Sequence, residues 1–282
     1  MDYIKKARSF RAKKKLGQNF LVDKAVIDRI VAEINISKDE TILEIGAGLG
    51  FVTAELAKYA KKIYAVEIDK DAIAELESLK LDNLEIIEKD ILKLDLSSIL
   101  TEPVKVVANI PYYITSPILL HLLGEIDDKD FSNRKYIKEA VLMVQYEVAR
   151  RIAATEKSPS KDYGLLSILV NYWTEAEIIS KVSAGSFYPS PKVDSALVKL
   201  NLRENPLVEL KNPGLFRRVI QAAFGTRRKT LKNALVNGGF DSELVILALA
   251  TAGIDPVRRA ETVSIEEFKI LSEIIGDYIN KS

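Results

Sequence analysis

The stretch Asn109-Ile110-Pro111-Tyr112-Tyr113 contains the residue types best suited to chemistry. It follows an apolar run over residues 104–108 that predicts a buried parallel strand, and open α/β sheets bind ligands at the carboxyl ends of their strands. The asparagine offers a side-chain carbonyl, the next two residues offer backbone carbonyls, and the tyrosine offers a flat apolar face. These groups could hold a planar amine such as adenine. A plain strand-to-turn junction explains the stretch equally well when it is viewed alone, because Asn and Pro are common in turns.

A glycine-rich turn, Glu-Ile-Gly-Ala-Gly-Leu-Gly, occupies residues 44–50 between a predicted strand and a predicted helix. Gly46 and Gly48 allow a ligand to approach the backbone, and the helix N-terminus offers free N–H groups. Phe51 stands where a dinucleotide-binding fingerprint has its last glycine. This departure favours a methyl-donor nucleoside over NAD.

Two acidic residues follow the next two predicted strands. Glu67 lies 21 residues after Gly46 and could bind both ribose hydroxyls of a nucleoside. Asp90 could accept a hydrogen bond from the amino group of its adenine. Because the glycine turn and both carboxylates stand at successive strand ends, we predict a binding site for S-adenosylmethionine.

The chemistry expected at Asn109 is activation of an amino nitrogen. The lone pair of adenine N6 is delocalised into the ring, so hydrogen bonds to the Asn109 oxygen and to the Ile110 or Pro111 carbonyl would make N6 more nucleophilic. Catalysis would then consist of positioning and electrostatics, with Tyr112 stacked on the base. No general base is required, and we expect the single histidine, His121, to be structural.

Phe187 opens a second aromatic-proline element, residues 187–195, which two prolines stiffen. An enzyme that modifies an RNA base must take it out of its stack, and Phe187 could cover the other face of that base. A core phenylalanine in a rigid hairpin turn is the alternative.

Basic residues are concentrated at two places, although the net charge is only +1. Residues 1–24 carry eight basic and two acidic side chains, and residues 210–240 carry seven basic and no acidic ones. We expect residues 3–15 to form a mobile arm. Solvated charge runs are the simpler interpretation of each place, but together they favour contacts with RNA phosphates. The predicted phosphate-binding residues are Lys13, Lys14, Lys15, Arg227, Arg228 and Lys229.

Alternating strand and helix patterns predict an α/β fold with a Rossmann-like, seven-stranded class I methyltransferase sheet, mostly parallel with the last strand antiparallel. A small all-α C-terminal domain should follow. The predicted divisions are an arm and helix over 1–40, a methyltransferase domain over 41–204 and a helical domain over 205–282. The absence of cysteine excludes disulfides and thiolate catalysis, no metal site is expected, and no apolar run is long enough to span a membrane. We therefore expect a cytoplasmic monomer.

Six motifs resemble those of the small-subunit ribosomal-RNA adenine dimethyltransferases of the KsgA type, over nearly the whole chain. They are LGQNFL (16–21), EIGAGLG (44–50), VEID (66–69), NIPYY (109–113), FYPSPKVDS (187–195) and AFGTRRKTLKNAL (223–235). The resemblance implies dimethylation of two adjacent adenines in the 3′-terminal hairpin loop of small-subunit rRNA, with a role in subunit assembly. It also implies that Asn19 and Leu21 join Gly46, Glu67, Asp90 and Asn109 in the donor site.

Two other functions stay open. A related family dimethylates an adenine of large-subunit rRNA and shares the glycine turn and the Asn-x-Pro-Tyr element. The protein could also act chiefly as a binding factor that checks assembly of the immature small subunit. The Arg-Arg-Lys-Thr-Leu run at 227–231 favours the small-subunit type.

Overall fold

The computed structural model describes residues 2–128, 130–131, 133–226 and 228–280. Its strands are β1 (Phe20–Leu21), β2 (Thr41–Ile45), β3 (Lys62–Glu67), β4 (Leu84–Glu88), β5 (Val104–Asn109), β6 (Ile137–Gln145), β7 (Thr174–Val182), β8 (Phe187–Tyr188) and β9 (Ser195–Leu202). Its α-helices are α1 (Tyr3–Ser9), α2 (Lys24–Ile34), α3 (Phe51–Leu56), α4 (Lys70–Glu77), α5 (Thr115–Leu123), α6 (Tyr146–Ile152), α7 (Leu165–Trp173), α8 (Pro213–Phe224), α9 (Leu231–Asn237), α10 (Ser242–Ala252) and α11 (Ile265–Ile279). Among the described helices, none is long and apolar enough to cross a bilayer.

The main sheet has seven strands in the order β4-β3-β2-β5-β6-β9-β7. The first four of these pairings are parallel, and β9 runs antiparallel to β6. The predicted fold, a mostly parallel seven-stranded sheet whose last strand is antiparallel, is therefore confirmed. Because Ile45 pairs with both Val66 and Ala108, the carboxyl ends of β2, β3 and β5 lie at one edge of the sheet.

The central strands form because they are apolar on both faces, as strands covered by helices must be. All five residues of β2 are buried, and β5 is buried up to its last residue, Asn109. The one lysine in β5, Lys105, is satisfied at the opposite edge of the sheet from Asn109. Its Nζ donates to the carbonyls of Ile34 and Asn35, at 3.0 and 2.8 Å, and forms an ion pair with Glu40.

The chain divides into two compact units. The first comprises residues 1–124, 131–149 and 175–202, and contains the seven strands. The second comprises residues 125–130, 150–174 and 203–282. Its core includes stacked Tyr172 and Phe216, with ring centroids 6.4 Å apart, and the contact of Phe224 with Phe268.

The basic arm begins with helix α1, so the expectation that residues 3–15 are mobile was wrong for this part. Tyr3 and Ala7 lie one helical turn apart and are both buried. The Tyr3 ring lies 4.7 Å from that of Phe51, and its hydroxyl donates to Glu55 at 3.1 Å. A charge run with an apolar residue every fourth position can pack as an amphipathic helix.

Candidate active site

An open cavity of about 260 Å³ lies within the first unit, at the carboxyl edge of the sheet. Five segments of the chain form its walls: the loop before β1, the glycine turn after β2, and the residues that follow β3, β4 and β5. Its lining includes Asn19, Gly46, Gly48, Glu67, Asp90, Asn109, Pro111 and Tyr112. The structure therefore brings together eight of the residues that the sequence predicted for the site.

The glycine turn has a backbone that only glycine adopts readily. Gly46 and Gly48 have φ angles of 72° and 54°. A Cβ atom at Gly46 would have the Asn109 carbonyl oxygen at 3.7 Å as its nearest neighbour, so it would project beside the Asn109 segment. A Cβ at Gly48 would lie 3.2 Å from the Phe20 ring. The turn thus forms a cradle that any side chain would fill, which fits a ligand that approaches the backbone.

Glu67 ends β3 with its carboxylate held by backbone donors. Its Oε2 accepts from Gly48 N–H at 2.8 Å, and its Oε1 accepts from the N–H groups of Ile68 and Asp69 at 2.8 and 2.9 Å. A carboxylate has about four acceptor positions, so capacity for a hydroxyl donor remains. Asp90 is half-buried on the neighbouring wall, and its Oδ1 caps the following turn by accepting from Leu92 N–H at 3.1 Å.

The side-chain amide of Asn109 has a defined orientation. Its Nδ2 donates to the backbone carbonyl of Asn19 at 2.9 Å. A carbonyl oxygen can only accept, so the nitrogen must face Asn19 and Oδ1 lies at the other end of the amide. The following N–H, that of Ile110, donates to Met143 O at 3.1 Å and ties the segment to β6. The amide is thereby held in one orientation at the carboxyl end of β5, beside the cavity that Asn109 lines.

Tyr112 is fixed by a hydrogen bond of 2.6 Å between its hydroxyl and that of Ser195. Burial raises the pKa of the Tyr112 hydroxyl, so it stays protonated at neutral pH. The neighbouring Tyr113 is 62% exposed. The ring of Tyr112 is thereby held in the cavity wall.

The structure does not bring Leu21 and Phe187 to the cavity wall. Phe187 is only 4% exposed and pairs with the equally buried Leu21 in the β1–β8 ribbon. The described conformation of Phe187 is that of a core side chain, so its stacking on a base stays a prediction. Donor contacts by Leu21 likewise stay a prediction.

The predicted phosphate-binding residues differ in their surroundings. Lys13 is ion-paired with Asp69 and, at 2.6 Å, with Asp71, and its pKa is raised by the hydrogen bonds to these two carboxylates. Lys14 and Lys15 are exposed, as are Arg228 and Lys229 in the second unit. Arg227 lies outside the described residues.

Sequence reasoning missed a hydrogen-bonded network beside the cavity. Gln18 donates from Nε2 to Asp69 Oδ2 at 2.6 Å, and its Oε1 accepts from the Lys13 N–H at 2.7 Å. The Asp69 side chain is buried. The only signal in the sequence was that Gln18 and Asp69 belong to the LGQNFL and VEID motifs.

It also missed Glu44, which lies in β2 just before the glycine turn and is 3% exposed. Burial raises the pKa of its carboxyl to about 8, and the charge of Glu67 acts in the same direction. Its Oε2 has no hydrogen-bond partner among the described residues. Glu44 is therefore protonated at neutral pH.

Four features define a class I methyltransferase with a Rossmann-like fold. They are the seven-stranded sheet, the glycine cradle after β2, the carboxylate at the end of β3 and the Asn-Ile-Pro-Tyr segment that begins at the end of β5. S-adenosylmethionine is the methyl donor of this class.

Comparison with known proteins identifies the family. The profile of the family described as ribosomal RNA adenine dimethylase matches residues 9–277, so the chain belongs to that family. The chain is 44% identical over 274 residues to a ribosomal RNA small subunit methyltransferase A from Clostridium botulinum, covering 96% of both chains. A protein of the same name from Moorella thermoacetica is 42% identical over 275 residues, covering 93% of this chain and 92% of that one.

Two solved structures share the fold at lower identity. A dimethyladenosine transferase from Plasmodium falciparum has a TM-score of 0.72 and 27% identity, covering 88% of this chain and 94% of its own. The 23S rRNA methyltransferase ErmE has a TM-score of 0.69 and 29% identity, covering 92% of this chain and 100% of its own. The resemblance drawn from the six motifs is confirmed.

Proposed function

We propose that this protein transfers methyl groups from S-adenosylmethionine to N6 of two adjacent adenines in the 3′-terminal hairpin loop of small-subunit rRNA. The observation that carries the reaction type is the oriented amide of Asn109 at the edge of a glycine-lined cavity. The choice of RNA rests on the relatives named as small-subunit enzymes, which are 41–44% identical over almost their full length.

The donor site would use residues from four segments. Gly46 and Gly48 allow close approach, Glu67 accepts from a ribose hydroxyl, and Asp90 accepts from the adenine amino group of the donor. Asn19, in the loop before β1, and Leu21, the last residue of β1, are proposed to complete the site. When bound there, S-adenosylmethionine supplies an electrophilic methyl group on a sulfonium centre.

The target adenine would be held by the segment after β5. Asn109 Oδ1 and the Ile110 or Pro111 carbonyl accept the two N6–H bonds, which localises the lone pair of N6 toward the methyl group. Donors and acceptors that are fixed before reaction, in a site that excludes water, stabilise developing charge without reorganisation. Tyr112, which its bond to Ser195 holds in place, would stack on the base, and Phe187 would cover the other face.

The RNA backbone would contact exposed cations. Lys14 and Lys15 of the first unit and Arg228 and Lys229 of the second are proposed to bind phosphates, and so is Arg227, which lies outside the described residues. Lys13 is proposed to do so only in addition to its ion pairs with Asp69 and Asp71. Sequence-independent phosphate contacts of this kind supply affinity and register. We further propose that the protein is a cytoplasmic monomer that acts on the immature small subunit.

The large-subunit alternative draws on the 29% identity to ErmE, and the two functions predict different products. Mass spectrometry of both rRNAs, from cells with and without this protein, separates them. We expect dimethyladenine to disappear from small-subunit rRNA alone. Its loss from large-subunit rRNA instead would contradict the proposed substrate.

The reaction type is tested by Asn109→Ala. Loss of the oriented acceptor should lower the rate of methyl transfer by about 10²-fold or more, while donor binding weakens less. Single-turnover transfer and calorimetric donor binding measure the two effects, and Asn237→Ala, an exposed position in α9, is the control. Near-normal turnover of Asn109→Ala would exclude the proposed role. Normal assembly of the small subunit in cells whose Asn109→Ala protein no longer methylates rRNA would favour the checkpoint function.

A further inference from the structure

We infer that Gln18 is a positioning residue for methyl transfer, which acts through Asn19 on the amide of Asn109 and is held in place by Asp69. This inference rests on the proposed function, because that function gives the Asn109 amide its task. Gln18 lines the cavity, but the contacts that give it this role are with protein groups and not with a ligand.

The orientation of the Asn109 amide decides its effect on an amino group. With Oδ1 toward N6 the amide accepts a hydrogen bond, whereas a flipped amide would present N–H groups to another donor. The described bond from Nδ2 to the Asn19 carbonyl, at 2.9 Å, selects the productive orientation. The position of that one backbone carbonyl is therefore a determinant of catalysis.

The segment that carries the Asn19 carbonyl is anchored on both sides. On its C-terminal side, Phe20 and Leu21 pair with Tyr188 and Phe187 in the β1–β8 ribbon. On its N-terminal side the anchor is the side chain of Gln18. It bridges Asp69, at 2.6 Å, and the backbone N–H of Lys13, at 2.7 Å.

Asp69 is a strong anchor because it is buried and remains charged. Burial acts to raise the pKa of Asp69, but the hydrogen bonds from Lys13 and Gln18 outweigh it and lower the pKa. Hydrogen bonds to an ionised acceptor are stronger than those between neutral groups. The Asp69 N–H also donates to Glu67 Oε1 at 2.9 Å. The residues at the end of β3, from Glu67 to Asp69, thus have two tasks. They carry the carboxylate proposed to bind the ribose, and through Gln18 they hold the segment around Asn19 that orients Asn109.

Removal of the Gln18 side chain should release only the N-terminal anchor of this segment. A shift of about 1 Å in a positioning group can cost up to about 10²-fold in rate. Because the β1–β8 pairing remains, we expect Gln18→Ala to lower kcat about tenfold and to leave the KM for RNA within about twofold. Gln221→Ala, an exposed glutamine in α8, is the control.

A double-mutant cycle tests the proposed route. In an Asn109→Ala background, Gln18→Ala should produce no further loss of single-turnover rate, because the amide it positions is gone. A full tenfold loss in that background would overturn the inference. Normal turnover of Gln18→Ala alone would overturn it as well. Normal turnover of Asn109→Ala would instead defeat the proposed function, so the two failures are distinguishable.

A polarity swap tests the anchor itself. Gln18→Glu places two carboxylates in contact and should lower kcat at least as much as Gln18→Ala. In an Asp69→Asn background, the amide introduced at position 69 can donate to the carboxylate introduced at position 18. The loss of kcat caused by Gln18→Glu should therefore be about tenfold smaller in that background than in the native one. An equal loss of kcat in both backgrounds would show that the contact between Gln18 and Asp69 does not contribute to methyl transfer. Thermal melting of each variant identifies any loss that reflects unfolding.

Discussion

Replacement of Glu44 with glutamine should stabilise the protein at neutral pH, although Glu44 belongs to the glycine-turn motif. Glu44 is 3% exposed, its Oε2 has no partner among the described residues, and burial raises its pKa to about 8. The folded state therefore keeps a proton that the unfolded chain releases near the ordinary glutamate value of 4.5. Glutamine has nearly the same shape and no proton to lose.

The sign and size of the effect follow from proton linkage. Between pH 4.5 and pH 8 the folded state binds the Glu44 proton and the unfolded state does not, so stability falls as pH rises through that window. One pH unit corresponds to about 1.4 kcal/mol for a single proton. The free energy of unfolding has therefore fallen by roughly 3 kcal/mol at pH 7 because of Glu44. Above the folded pKa no further loss occurs.

Urea unfolding at several pH values between 5 and 8 measures this effect. The difference in free energy of unfolding between Glu44→Gln and the native protein should grow with pH by about 1 kcal/mol per unit. Other groups, such as His121, whose pKa burial lowers, are common to both proteins and cancel in the difference. Glu177→Gln, at an exposed position in β7, is the control. A difference that does not change with pH would show that Glu44 is ionised in the folded state and would refute the reasoning.

Two further variants probe the glycine cradle and the basic residues at positions 228 and 229. Gly48→Ala should destabilise the fold by about 1–2 kcal/mol and weaken donor binding, because φ is 54° and the added Cβ would lie 3.2 Å from the Phe20 ring. Melting curves measure the stability and calorimetry measures the donor affinity, with Gly214→Ala as the control. An unchanged donor affinity would contradict the proposal that the glycine turn is a cradle for the donor. Arg228→Ala combined with Lys229→Ala should reduce the slope of log K against log salt for RNA binding by about 0.7–0.9 per lost phosphate contact. Lys157→Ala, at an exposed position of the second unit outside residues 210–240, is the control there, and an unchanged slope would place the RNA elsewhere.

The sequence by itself determined the sheet and the place of the proposed site. The apolar runs of β2, β3 and β5 have the length and β-branched content of buried strands, and their alternation with helices requires parallel pairing. Parallel pairing brings strand ends to one edge, so Gly46, Glu67 and Asn109 had to meet there. Helix α7 was not predicted, because its nine residues, LLSILVNYW, form a short and mostly apolar run of the kind that sequence alone does not assign clearly to helix or strand.

Only the tertiary structure decided how the amide of Asn109 is held. Gln18 and Lys13 meet Asp69 across 51 and 56 residues of chain, and Asn19 meets Asn109 across 90. No local period encodes such partners, because a polar side chain in a loop looks the same in sequence whether it faces solvent or a buried carboxylate. The sequence likewise could not show that Tyr3 is buried, that Phe187 lies in the core, or that Glu44 is buried and protonated, because burial depends on contacts with residues that are distant in the chain. Residue types at strand ends define what the site can do, whereas long-range contacts define the orientation in which it does so.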